Sequence, residues 1–307
     1  LHDMILNTLF PVFAVIFLGS VLRLSGFVSR DFFHASDRLV YFIFFPCMLF
    51  WKIGTGDPSA GFDPYLFAAV LASVLLVFVL STAYIVFGKV GAFQAGSFSQ
   101  SCYRFNSYIG MAVMLKAAGD SGVVLFAVLI GLIIPVINVL SVGVLIWFSE
   151  KDYPPGQKVW YLLRALATNP LILACIAGIG FAVSGLRLPV FADNTLSLVS
   201  MLTLPLALIS IGSALGIKKL GSGFRLALTA AFFKLMVLPA AGFFFMKMFG
   251  VSQIAFQVGM LFFCLPASTA IYVLSSQMNS DTQLASASIV VSTLLSFFSL
   301  SGALMLA

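Results

Sequence analysis

Long apolar segments alternate with short polar, glycine- or proline-containing segments along the whole chain. Cutting the sequence at the short segments leaves ten apolar stretches, and about 20 consecutive apolar residues are enough for a helix to span a bilayer. The predicted spans are 4–24, 33–53, 65–88, 93–117, 122–148, 160–184, 190–216, 224–248, 252–277 and 282–306. The pattern therefore predicts an all-α integral membrane protein with ten transmembrane helices.

A polar linker at residues 149–158 divides the predicted helices into two sets of five. Residues 1–156 then form a first repeat that includes the linker, and residues 157–307 form a second repeat. Because each half holds an odd number of helices, two similar halves lie in the membrane in opposite orientations. Secondary transporters with such inverted repeats bind substrate near mid-membrane, where discontinuous helices leave backbone groups available.

Internal similarity supports this division. Pro46 lies deep in the second span, and Pro205 lies deep in the seventh, 159 positions later. Gly119-Asp120-Ser121 closes the fourth span, and Asn279-Ser280-Asp281 closes the ninth, 160 positions later. The shared order and nearly constant spacing indicate a repeat.

The basic residues predict the orientation in the membrane. With the N-terminus outside, ten of them flank the cytoplasmic ends of the spans: Arg23, Arg30, Arg38, Lys89, Lys151, Lys158, Arg164, Lys218, Lys219 and Arg225. Four flank the outer ends: Lys52, Lys116, Arg187 and Lys247. This excess predicts that both termini are outside and that the linker is cytoplasmic. The expected location is the cell (inner) membrane, with the lipid bilayer as a partner.

Composition excludes several other classes of protein. Hydrophobic residues make up 61% of the chain and charged residues 8%, against about 25% charged residues in a soluble domain. The net charge of +6 is explained by the cytoplasmic basic residues, so no nucleic acid partner is expected. The cysteines Cys47, Cys102, Cys175 and Cys264 lie apart in apolar segments and indicate neither a disulfide framework nor a metal site. Without paired acid and base groups, the chain is not expected to be an enzyme, and no cofactor is expected.

The fourth and ninth spans carry polar residues and helix breakers in their middles. In the fourth, Asn106 and Ser107 precede Gly110, and in the ninth, Pro266 precedes Ser268 and Thr269. At a spacing of 160, Asn106 corresponds to Pro266 and Tyr108 to Ser268. If both helices unwind and cross there, two helix N-termini face one cavity and attract an anion. The alternative is two kinked helices whose Ser and Thr side chains bond to their own backbone.

Two cations fall inside predicted spans: Arg104 near the fourth-span interruption and Lys234 within the eighth span. Both suit a carboxylate substrate, although Arg104 could instead reach the interface and Lys234 could pair inside the protein. Asn138 either lines the site or bonds between helices. Since no carboxylate lies at mid-span, proton coupling through a buried carboxylate is disfavoured. Sodium coupling through Ser, Asn and carbonyl oxygens stays open.

Seven segments carry a resemblance to a known family: YFIFFPCMLF (41–50), RFNSYIG (104–110), NPLI (169–172), LPLALISIG (204–212), KLMVLP (234–239), LPA (265–267) and YVL (272–274). In this order, the chain resembles the auxin efflux carrier family of permeases, in the bacterial form often labelled malonate or malate permeases. Plant PIN-type auxin carriers are distant relatives. The resemblance spans nearly the whole chain.

The resemblance implies ten helices arranged as a scaffold bundle and a moving bundle, with helices 4 and 9 crossing at unwound segments beside an organic anion. Carried onto this sequence, the binding residues are Asn106, Ser107, Tyr108, Gly110, Asn138, Pro266, Ala267, Ser268, Thr269 and Tyr272, with Arg104 and Lys234 as candidate cations. Where bacterial members commonly have a proline after the fourth-helix glycine, this chain has Ala112. The break is therefore expected either to depend on Gly110 alone or to be less pronounced.

The expected function is that of a secondary transporter for small organic anions, such as the mono- or dicarboxylates malonate and malate, working by alternating access. One alternative is a sodium-coupled organic anion symporter of the bile-acid type, and another is an anion channel. The resemblance also implies a homodimer, and Gly212 and Gly216 permit close helix packing.

Overall fold

The computed structural model describes residues 2–56, 62–148, 163–164, 167–215 and 223–306, and the helices within these ranges are its regular elements. They are α1 His2–Leu24, α2 Arg30–Gly54, α3 Pro64–Phe87, α4 Ala92–Tyr103, α5 Ser107–Ala117, α6 Gly119–Trp147, α7 Pro170–Val183, α8 Val190–Ala214, α9 Phe224–Phe249, α10 Gln253–Phe263, α11 Ala270–Gln277 and α12 Thr282–Leu306.

Seven of the described helices are long and apolar enough to cross a membrane: α1, α2, α3, α6, α8, α9 and α12. Helices α7 and α10 are apolar but shorter. The all-α membrane architecture is therefore confirmed at this level, whereas the count of ten spans remains a prediction. The predicted cytoplasmic linker, 149–158, lies outside the described residues.

The chain forms two compact units. The first comprises residues 1–63, 107–132 and 167–215, and the second comprises residues 64–106, 133–166 and 216–307. Each unit draws its helices from both halves of the sequence, and the division falls within α6. The predicted repeats at 1–156 and 157–307 describe order along the chain, so these spatial units do not test them.

In the first unit, α1 packs against α8 and α2 packs against α7. The α1–α8 contact is close because Gly19 and Gly212 bring the two backbones together: a Cβ atom at Gly212 would overlap the carbonyl of Ile16. The Ser20 hydroxyl donates to the Gly212 carbonyl at 2.7 Å. Gly212 therefore already contacts α1 within the first unit. Gly216, the other glycine predicted to permit a dimer contact, lies outside the described residues.

In the second unit, α9 packs against α3, α4 and α12, and α11 packs against α4 and α12. Three buried serines join α4 to the end of α11 and the turn after it. The Ser97 hydroxyl lies 2.9 Å from that of Ser275 and 3.0 Å from that of Ser280, and Ser280 donates to the Phe93 carbonyl at 2.8 Å. These bonds fix α4 beside α11.

Helices α2 and α9 each contain one π-helical turn, at Val40–Phe44 and Phe233–Val237. Each turn precedes a proline by two residues, Pro46 and Pro239. Proline lacks an N–H donor and its ring crowds the carbonyl four residues earlier, which lies inside the π-turn in both helices. The wider turn relieves that crowding while the helix continues.

The helix bounds follow the 160-residue spacing seen in the sequence. Helix α8 occupies the range of α2 displaced by 160 positions, and α9 begins 160 positions after α3. The helix ends Tyr103 and Phe263 are 160 positions apart, and so are Ala117 and Gln277. This spacing supports a repeat in chain order, and its inverted orientation in the membrane remains a prediction.

Candidate functional site

The fourth predicted span is broken at residues 104–106, between α4 and α5. Helix α4 ends at Tyr103, and Arg104 adopts an extended conformation. Asn106 is 2% exposed, and its backbone N–H donates to the Pro266 carbonyl at 2.9 Å. The break therefore has a tertiary hydrogen bond in place of the helical one.

The ninth predicted span is broken at residues 264–269, between α10 and α11. Its buried centre, Pro266 and Ala267, is held on two sides. The Pro266 carbonyl accepts from Asn106, and the Ala267 N–H donates to the Ser292 hydroxyl of α12 at 3.1 Å. The two predicted interruptions thus meet inside the second unit, through the predicted pair Asn106 and Pro266.

Beyond Pro266, the break supplies the N-terminus of α11. Thr269 is the N-cap residue, and the half-buried Ser268 hydroxyl accepts from the Ala270 N–H at 3.3 Å. The Ile271 and Tyr272 N–H groups bond to the Ser268 and Thr269 carbonyls, both at 3.2 Å, and the helix dipole favours a negative charge near this end. This end of the break is suited to an anion.

Arg104 is half-buried beside the broken segment, and neutral amide groups orient its guanidinium. One terminal nitrogen donates to the Gln100 side-chain oxygen at 3.1 Å, and the other donates to the Asn138 side-chain oxygen at 3.2 Å. Asn138 is itself buried on α6. These two side-chain amides fix the direction of the guanidinium, whose planar donor groups suit recognition of a carboxylate.

The charges of the second unit are strongly unbalanced. Asp281 is the one acidic residue among the part of this unit that the structure describes. Its carboxylate accepts from the N–H groups of Gln283 and Leu284, both at 2.9 Å, at the start of α12. It is therefore engaged at a helix N-terminus, where a negative charge is stabilised.

Lys234 is a buried cation in the described part of this unit. It is 0% exposed, and its amino group donates to the Phe263 carbonyl, at the end of α10, at 3.1 Å. The structure thus places Lys234 at the α10 end of the ninth-span break, in agreement with the predicted internal pairing.

Three predicted site residues belong to the first unit: Ser107, Tyr108 and Gly110. Ser107 starts α5, and the Tyr108 ring packs edge-on against Phe45 with the ring centres 4.7 Å apart. Gly110 lies buried within α5, so the first of the two alternatives, a break that depends on Gly110 alone, is wrong. The helix is interrupted four residues earlier, and Ala112 continues α5 without a further break.

Tyr272 is 44% exposed on α11. Sequence reasoning missed Gln100 and Ser292. Gln100 precedes Arg104 by four positions, a spacing that places two side chains on the same helix face. Ser292 belongs to a row with Ser288 and Ser296, and such a row within an apolar span indicates a face turned toward protein.

The comparisons with known proteins agree with this architecture. The model of the membrane transport protein family matches residues 158–304. A transporter of Methanocaldococcus jannaschii, described as uncharacterised, is 22% identical over 291 residues, which is 92% of each chain. Both findings are in line with the predicted resemblance to a family of membrane permeases. The family indicates a membrane transporter, and the chain is a multi-pass membrane protein.

Proposed function

We propose that this permease moves small organic anions, mono- or dicarboxylates of the size of malonate or malate, across the cell (inner) membrane. The proposal rests on one observation: the two helix breaks meet at the hydrogen bond from Asn106 to Pro266, two residues from the oriented guanidinium of Arg104. Unwound backbone at membrane depth is found where it is buried in protein or lines a cavity. Its polar groups supply a substrate site.

In this proposal, Arg104 binds a carboxylate of the substrate, and the hydroxyl groups of Ser268 and Thr269, at the positive end of the α11 dipole, offer further donors. The second unit carries the substrate and exposes it alternately to the two sides of the membrane. An inside-negative potential of 100 mV favours export of an anion by about 2.3 kcal/mol for each charge. This energy is sufficient for net export without a further ion.

Uptake of radiolabelled malonate and malate into proteoliposomes under an imposed potential tests the proposal. The wild type should show saturable flux that responds to the potential. Asn106→Ala keeps the backbone N–H bond to Pro266 and removes the amide side chain, and Arg104→Gln removes the charge. We expect both variants to lose flux by about tenfold or more, the effect of a lost charge-assisted hydrogen bond of about 1.5–3 kcal/mol.

Arg225→Gln is the matched control, because Arg225 is an exposed cation at the start of α9 in the same unit. It should transport like the wild type. Flux that rises linearly with substrate concentration would indicate a channel, and unchanged flux in Arg104→Gln would remove the guanidinium from the site. Failure of every tested organic anion to cross would contradict the proposed substrate class.

A further inference from the structure

The amino group of Lys234 occupies an unusual position for a cation in an apolar helix. The side chain is fully buried, within the π-helical turn Phe233–Val237 of α9. A charged lysine at this depth is costly unless it finds acceptors that replace water. The acceptor that the structure gives it is the carbonyl of Phe263, at 3.1 Å.

Phe263 is the last residue of α10. The final carbonyls of a helix lack intrahelical partners and carry the negative end of the helix dipole, so a cation is stabilised there. Helices α9 and α10 also approach each other closely at the Phe263 side chain. A Cβ atom at Gly242 of α9 would overlap the ring of Phe263.

Carbonyls at the C-terminal ends of half-helices have a known role in secondary transporters, where they coordinate a coupling cation such as Na⁺. Phe263 provides such a carbonyl, three residues before Pro266. In this protein, the amino group of Lys234 already donates to that carbonyl. The acidic residue of the described part of this unit, Asp281, is bound instead at the start of α12.

We propose that Lys234 is a built-in counter-cation: its amino group holds the carbonyl end of α10 in the place of a coupling cation, so that transport needs no sodium. Lys234 is then a positioning residue that keeps the break at Pro266 in its binding conformation. This inference rests on the proposed function and extends it from the substrate to the coupling ion.

The first test needs no organic anion. Lys234→Ala removes the ammonium group and leaves space beside the Phe263 carbonyl for a small cation. In detergent, the wild type should unfold at the same temperature in sodium chloride and in choline chloride. In choline chloride, the variant should unfold at a temperature at least about 3 °C below that of the wild type. Adding Na⁺ or ethylammonium should restore part of this loss of stability.

Lys247→Ala is the matched control, since Lys247 lies on the same helix but is exposed, with its amino group over the rings of Phe243 and Phe256. It should show no response to either cation. A Lys234→Ala protein that is as stable as the wild type, or one that neither cation stabilises, would overturn the counter-cation role.

The second test uses the wild type alone, so it does not depend on a variant that folds. Malonate and malate flux into proteoliposomes should be equal with sodium and with choline on both sides. Flux that requires sodium would overturn the inference while leaving an organic anion transporter in place. Conversely, if neither acid is transported, the proposed function fails, and the thermal response of Lys234→Ala still decides the role of Lys234.

Discussion

Single side chains hold the broken backbone in place, and Ser292 is the clearest case. Its hydroxyl accepts from the Ala267 N–H at 3.1 Å and donates to the Ile289 carbonyl at 3.2 Å. Ala267 is buried next to Pro266, so its N–H cannot turn to water instead. Ser292 therefore satisfies a donor that the unwound segment would otherwise leave unsatisfied.

We predict that Ser292→Ala destabilises the protein by about 1–3 kcal/mol, the cost of a buried polar group that loses its partner. Ser296→Ala is the matched control, because Ser296 is buried on the same helix and bonds only locally, to the Thr293 carbonyl at 2.7 Å. Thermal unfolding in detergent is the measurement. Equal unfolding temperatures for the two variants would contradict the role of Ser292.

At the residue scale, the sequence predicted the cations and the pair Asn106 and Pro266, because charges and helix breakers within apolar spans are informative. It left open whether Asn138 lines the site or bonds between helices. The structure shows the bond to Arg104. A contact across 34 positions depends on how α4 and α6 pack, and the residue pattern along the chain does not specify that packing.

Among the elements, the α1–α8 pair shows how small residues determine helix packing. Gly19 approaches the Ile209 carbonyl, and Gly212 approaches the Ile16 carbonyl, each so closely that a Cβ atom would overlap the backbone opposite. The side chain of Arg23 donates to the Ser213 carbonyl in the same interface. The two helices cannot separate locally without losing these contacts.

We therefore predict that Gly212→Ala destabilises the first unit by about 1–3 kcal/mol or more, since overpacking forces backbone shifts. Gly180→Ala, on α7 of the same unit, should be neutral or slightly stabilising, because no other atom lies within 4 Å of its added Cβ and alanine favours helix over glycine. Unfolding temperatures of the two purified variants provide the comparison. A Gly212→Ala protein as stable as Gly180→Ala would contradict close backbone contact between α1 and α8 at Gly212.

Sequence periodicity located most helix ends within a few residues, and it placed the fourth-span interruption at Asn106 and Ser107, followed by Gly110. The helix is interrupted at residues 104–106, where the Asn106 N–H donates to the Pro266 carbonyl. It continues through Gly110, because glycine permits a bend without requiring one. The π-turns of α2 and α9 were not predicted. Proline alone does not specify them, since α6 continues through Pro135 and α8 through Pro205 as α-helix.

For the whole molecule, the distribution of basic residues predicts the direction of the chain in the membrane. A reporter enzyme that is active only outside the cytoplasm, such as alkaline phosphatase, should be active when fused after Leu306 and inactive when fused within the predicted linker, 149–158. Green fluorescent protein at the same two places should give the opposite result. An active phosphatase in the linker would reverse the predicted orientation and the predicted direction of the inverted repeats.

The charge distribution of the second unit leads to a prediction about substrates. The half-buried Arg104 and the fully buried Lys234 share the described part of this unit with one carboxylate that is already engaged. We predict that malonate inhibits malate flux competitively, whereas a neutral diamide of malonate at the same concentration does not. Inhibition by the diamide would show that recognition depends on shape rather than on charge.

The most direct test of the account asks whether an organic anion occupies the break at Pro266. Ser268 is half-buried at the start of α11, so Ser268→Cys places a thiol at the proposed site, and Ser286→Cys places one at a similarly half-buried position on α12. Malonate should slow alkylation of the cysteine at 268, with half protection near the KM for transport, and leave the reaction at 286 unchanged. Saturable malonate transport without protection at 268 would contradict a binding site at the helix break.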